Sequence, residues 1–194
     1  MNILVSLFAL FVVGLVPDVL QAAPKAAEKC LTKACFALHK TASNGDELHI
    51  IGASRYRFWG FSVYSIALYQ GVGTAAERWS EYPLALELSY HRSLKAEDFT
   101  KTAKKLMEEN PEYGKQVESD VFQRFASFIQ PVSEGDRYTL LYSPDGTLEL
   151  LFNGETQGKV QDQSFARAYL GMWLGKYAVK EENRDVILSG RFEG

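Results

Sequence analysis

The apolar positions of the chain fall into short alternating runs, then two helical stripes, then alternating runs again, then two more helices. The densest run covers residues 52–71, where Phe, Val, Tyr and Ile recur with a period near two and mark strand. Both of its faces are largely apolar, so it is expected to be a central strand covered on both sides. A short strand over 47–52 precedes it, introduced by the turn signal Ser43-Asn44-Gly45-Asp46. Trp59-Gly60 interrupts the alternation, so the run is either one bulged strand or a hairpin turning near Gly60. The two options differ in consequence. In a single strand Arg55 and Arg57 share a face with Phe61 and Val63 while Tyr64 points the other way. Only a bulge or hairpin lets an arginine and Tyr64 line one pocket.

Gly71-Val72-Gly73 ends the run, 75–80 form a helical turn, and 84–91 read as a strong strand. Ser93 is a good N-cap for a helix to about Glu109, with Phe99, Ala103, Leu106 and Met107 on one face, stopped by Asn110-Pro111. A second helix over 115–129 carries Val117, Val121, Phe122, Phe125 and Phe128 at helical spacing. Two strands, 137–142 and 148–153, flank Ser143-Pro144-Asp145-Gly146-Thr147, a hairpin signal. After the turn Asn153-Gly154 a short strand is expected around 158–160. Asp162 caps a helix to Leu174 with Phe165, Ala166, Tyr169, Met172 and Trp173 inward, Gly175 ends it, and 181–188 make the last helix. Strands, two helices, strands and helices in that order imply an antiparallel sheet with helices grouped on one side, hence α+β.

The N-terminus changes the picture. Residues 3–16 are apolar and uncharged, and Gln21-Ala22-Ala23 follows as a small-residue cleavage region, so 1–22 read as a secretory signal. The run is too short to span a membrane comfortably, and no span is expected after cleavage. A basic segment before it is missing, which leaves a retained N-terminal anchor as the alternative. The expected location is periplasmic or secreted. Residues 23–46 then form a polar, alanine-rich lead-in with one short helical turn, and 47–194 the domain. In an oxidising compartment Cys30 and Cys35 can pair if Leu31-Thr32-Lys33-Ala34 forms a turn.

Charge excludes one class of partner. The net charge is −3, with lysines and arginines scattered rather than striped, so no nucleic-acid partner is expected. Gly71-Val72-Gly73-Thr74-Ala75-Ala76 matches a dinucleotide fingerprint, but residues 77–83 cut short the helix that such a site needs, so no cofactor is expected. His39, His49 and His91 lie far apart without a second ligand at helical or turn spacing, so no metal is expected. There is no G-x-S-x-G nucleophile motif. What remains is Arg55 and Arg57 beside apolar residues, a pattern that can clamp a carboxylate or enolate. The plain alternative is that they pair with Glu47, Asp46 or solvent.

Gly52-x-x-Arg55, with Phe61-x-Val63-Tyr64-x-x-Ala67-Leu68-Tyr69, resembles the chalcone isomerase-like family, especially its bacterial secreted branch. Residues 84–99, Gly135-Asp136-Arg137, Pro144-Asp145-Gly146-Thr147, Asn153-Gly154 and 165–175 agree in the same order. The resemblance implies an open-faced β-sandwich, a large antiparallel sheet with a helical layer on one face and a ligand cleft between them. In the family's plant enzymes an arginine holds a phenolate while the ring closes without a cofactor. A threonine and a tyrosine organise a water, and an asparagine and a serine or threonine contact the flavonoid. Here the arginine position falls on Arg55 or Arg57, the threonine on Tyr64, and the tyrosine on Phe99. The asparagine falls on Leu106 and the serine or threonine on Met172. The resemblance therefore implies a non-catalytic binder of a small amphipathic ligand, a fatty acid or a phenolic, since plastid members of the family bind fatty acids. Ligand contacts are expected from Arg55 or Arg57, Tyr64, Phe99, Leu106 and Met172. The alternatives are a cofactor-free isomerase of chalcone-like enones, or an interaction module whose cleft is filled by Trp59, Phe99 and Met172.

Overall fold

The computed structural model describes residues 27–194, so the signal segment expected at 1–22 lies outside the described residues. Residues 52–71 do not form one strand. They are the second half of β4 (Glu47–Phe58) and all of β5 (Phe61–Gln70), paired antiparallel about a two-residue turn at Trp59-Gly60. Both turn residues have positive φ, 52° and 81°, the backbone that matches the twist of paired strands. β4 also absorbs the separate short strand expected at 47–52. Irregularities at Ile50/Gly52 and Tyr56/Arg57 shift the register twice along this hairpin.

β6 (Leu84–Tyr90), β7 (Arg137–Tyr142), β8 (Thr147–Phe152) and β9 (Glu155–Gln161) continue the sheet antiparallel, and β10 (Phe192–Glu193) pairs parallel with β4 at its outer edge. The path is β10-β4-β5-β6-β7-β8-β9, which makes β6 the middle strand, buried along its whole length. The expectation of a central strand over 52–71 thus passes to β6. β5 is covered on both faces only from Ser65 to Gln70.

The lead-in with a helical turn expected over 23–46 is extended instead across most of its described residues. β1 (Glu28–Leu31) and β2 (Ala34–Ala37) form a hairpin with Cys30 opposite Cys35 in a disulfide, and β3 (His39–Thr41) pairs with the start of β4. Thr32, at φ 51°, supplies the turn that a local bridge requires. β1 and β2 cover one sheet face: Phe36 and Leu31 pack with Leu48, Ala53, Ala67, Tyr69 and Ala85.

The other face carries the helices α1 (Ala96–Glu108), α2 (Asp120–Ala126), α3 (Gln163–Leu174) and α4 (Glu181–Leu188) and most of the apolar core. α3 and α4 match expectation: Asp162 Oδ1 accepts the Phe165 N–H at 2.8 Å, and α3 buries Phe165, Ala166, Tyr169 and Met172. α1 starts later than expected because Leu94 is held extended against Val132, so Lys95 rather than Ser93 is the cap. The helix expected at 115–129 is split, a 3-10 turn at Gly114–Glu118 leading to α2, whose cap Ser119 accepts from the Phe122 N–H. α4 lies close on β4: a side chain at Gly52 would clash with the Ile187 carbonyl oxygen. The Gly71–Ala76 segment leads into a 3-10 turn at Ala76–Glu81 and then antiparallel β6, without the helix and parallel strand of a dinucleotide site. No helix among the described residues is long and apolar enough to cross a membrane.

Candidate functional site

Between the helices and the tip end of the β4–β5 hairpin lies a cavity of about 310 Å³, within the range of small-molecule sites. The hairpin makes it. Tyr56 pairs with Tyr64 and the two rings stack 4.8 Å apart, while Tyr64 also pairs with Tyr90 on β6. These residues face the helices, where α1 supplies Phe99, Thr102, Ala103 and Leu106 and α3 supplies Tyr169, Met172 and Trp173. Periodicity fixes both sets: the α1 residues recur every three or four positions, and 169, 172 and 173 form one stripe of α3. Phe99 stands edge-on to Tyr90, with the ring centroids 5.4 Å apart.

The interior holds hydroxyls but no ionised group. Tyr64 Oη accepts a 3.0 Å hydrogen bond from Trp173 Nε1. Burial pushes the Tyr64 phenol far above its ordinary value, against a smaller lowering by the Trp173 N–H. Burial likewise raises Tyr90 and Tyr169 well above theirs. All three are therefore neutral at physiological pH. Charge lies at the mouth, where Arg92, just beyond β6, and Asp98, in the first turn of α1, are both exposed. Asp98 is engaged with the Lys95 N–H at 3.2 Å, which leaves Arg92 as the cation facing the opening. The hairpin tip adds an apolar rim: Phe58 lines the cavity, and Phe58, Trp59 and Phe61 are 58%, 86% and 69% exposed.

Of the residues singled out in the sequence, Tyr64, Phe99, Leu106 and Met172 line this cavity together. Arg55 and Arg57 do not. Arg55 pairs with Ser65, on the sheet face of Ala53 and Ala67 that the β1–β2 hairpin covers, and its Nε is buried without a hydrogen-bond partner. Arg57 is exposed beside the tip. The hairpin brings Tyr56, not an arginine, beside Tyr64, because the strand alternates and the register shift falls after Tyr56. Trp59 points to solvent and does not fill the cavity. Arg92 carried no motif; its one signal was its place at the end of the strongest strand, next to the start of the first long helix.

The Arg55 face holds a polar cluster instead. Glu87 is 4% exposed and accepts from Arg137 Nη1 at 2.7 Å, Lys40 Nζ at 2.9 Å and Tyr69 Oη at 3.2 Å. Arg137 Nη2 also donates to the Cys35 carbonyl at 2.7 Å, tying the disulfide hairpin to the sheet. Two cations and a phenol surround one carboxylate, a charge-satisfied structural arrangement.

A family model described as chalcone isomerase-like matches residues 35–189. Among solved structures, the crystal structure of the Arabidopsis thaliana fatty-acid binding protein AtFAP1 superposes with a TM-score of 0.56 at 14% identity, covering 78% of this chain and 96% of that one. The likeness confirms the α+β fold, a curled antiparallel sheet with helices. No curated protein sequence matches the chain.

Proposed function

The chain belongs to the chalcone isomerase-like family, and from that premise we propose that it is a non-catalytic binding protein for a small amphipathic anion such as a fatty acid. The observation that carries this reading is the division of the cavity: an apolar interior whose phenols are neutral, and a cation, Arg92, at the mouth. An acyl chain lies in the interior and its carboxylate meets Arg92, where partial exposure keeps the ion pair worth only about 1 kcal/mol or less. Binding energy comes from the tail, at about 0.8 kcal/mol per buried methylene. The fatty-acid binding of AtFAP1 supports the same ligand class. An isomerase reading needs hydrogen-bond donors at the ketone; Phe99, Leu106 and Met172 supply none, which leaves phenols such as Tyr64 and Tyr90 as the donors that reading would have to use.

The same reading assigns the protein to the bacterial secreted branch of the family, in the periplasm or outside the cell. The apolar leader and the Cys30–Cys35 disulfide support that location.

Saturated fatty acids of increasing length, titrated against the purified protein by calorimetry, test the function. Affinity is expected to rise about fourfold per methylene until the cavity is full. Absence of binding at every length, with cyclisation of a chalcone substrate by the same preparation, would overturn the reading in favour of an isomerase.

A further inference from the structure

The start of β4 carries a second constellation, at the opposite end of the strand from the lipid cavity. β3 pairs antiparallel with β4 so that His39 stands directly across from His49, and Thr41 across from Glu47. Glu47 and His49 are two residues apart and so share a strand face; His39, opposite His49, is on that face too. Lys40 and Leu48, between them, turn the other way, toward Glu87 and the Phe36 core. Three metal-ligating side chains therefore converge although the two histidines are ten positions apart in the sequence.

The convergence is close. Glu47 Oε1 lies 2.9 Å from His39 Nδ1 and 3.4 Å from His49 Nε2, and the three ligand atoms are all within 4.8 Å of one another. Ligands of a tetrahedral zinc ion, bound at about 2.0–2.1 Å, stand roughly 3.3 Å apart. The Glu47–His49 spacing already matches, and the side chains are exposed enough to adjust the other two. The backbone beneath them is fixed: Ile50 N–H donates to the Leu38 carbonyl at 2.9 Å, and Leu38 N–H to the Ala27 carbonyl at 3.0 Å. The cross-strand row continues from His49 to Gln70, which is fully buried with neither side-chain amide atom hydrogen-bonded. A partnerless amide beside a ligating imidazole is the kind of neighbour that orients such a ring.

We propose that His39, Glu47 and His49 bind a divalent late-transition-metal ion, zinc or copper. Two imidazoles and a carboxylate are borderline donors that favour these ions over magnesium and calcium, which take all-oxygen sites. Three protein ligands leave a coordination position open to water or to a ligand from another molecule. The site shares no residue with the lipid cavity, so it stands or falls independently of the function proposed above.

Calorimetric titration of the untagged protein with zinc chloride and with copper sulfate tests it. One ion per chain is expected, with His39→Ala and His49→Ala each weakening binding at least tenfold, Glu47→Gln weakening it severalfold, and magnesium and calcium giving no saturable signal. Far-UV circular dichroism of the variants should match the parent, since none of the three side chains is in the core. The proposal is overturned by no saturable zinc or copper binding up to millimolar concentration. It is equally overturned by binding that the double variant His39→Ala/His49→Ala retains, which would place the ion elsewhere and leave the three residues as an ordinary ion pair.

Discussion

At one end of β4, Tyr56 and Phe58 line an apolar cavity with an open mouth; at the other, Glu47 and His49 meet His39 in the open. The two ends belong to one strand of 12 residues and differ in what surrounds them. The cavity end is roofed by α1 and α3, so its wall is largely apolar and recognition there would come from area and shape. The other end pairs with the three-residue β3 on one side and, at His49, with Gln70 of β5 on the other, and its His39 and Glu47 side chains are exposed, so recognition there would come from lone pairs. On the two proposals above, the sheet would serve one ligand with its covered surface and another near its edge.

The sharpest way to break this contrast is to put a charge into the covered end. Leu106→Glu buries a carboxylate in the cavity wall, which costs several kcal/mol unpaired. Fatty-acid affinity measured by calorimetry is expected to fall at least 100-fold while zinc affinity stays within twofold of the parent. Loss of both would show that the two ends are not independent.

Arg92→Ala asks how much of the lipid site is charge. Removing an exposed cation is worth about 1 kcal/mol or less, so affinity for a fatty acid should fall about two- to fivefold and affinity for the matching fatty alcohol should not change. An equal loss for acid and alcohol would assign Arg92 a packing role instead.

The smallest effect concerns the third histidine, which belongs to neither end. His91 Nε2 is 2.8 Å from the Ser65 hydroxyl, and burial, then the charge of Lys33, lowers its pKa, with Glu134 opposing. A folded-state value below the unfolded one, about 6.5, means that the unfolded chain takes up the proton first on acidification. Stability from this residue is therefore intact above about pH 6.5 and is lost as the pH falls below it. Thermal unfolding between pH 7.5 and 5.5 should show a smaller drop in Tm for His91→Gln than for the parent. An identical drop would mean that the imidazole titrates alike in both states.

The sequence by itself determined the later strands and helices and four residues of the cavity wall, but not the extended N-terminal strands or the break in the helix expected at 115–129. Local signals were enough for α3, with Asp162 before it and Gly175 after, and for the turn at Asn153-Gly154, whereas at Trp59-Gly60 they left a bulge and a hairpin both open. The wall residues Tyr64, Phe99, Leu106 and Met172 were legible because they sit on the apolar stripes of their own elements, and those stripes must face the same core. Pairing was not legible. Which residue of β4 stands across from Tyr64 depends on the register shift at Tyr56/Arg57, which puts Tyr56 rather than Arg55 there, while strand alternation turns Arg55 to the opposite face. The cation at the mouth, Arg92, is there because β6 ends beside β5's beginning, a fact of strand order. The histidine pair lies furthest from anything local: ligand spacing along a helix or turn is written in the sequence, whereas His39 and His49 meet only because β3 folds back on β4 in one register. A side chain's own neighbours set which face of its element it occupies; only the packed sheet decides what stands across from it.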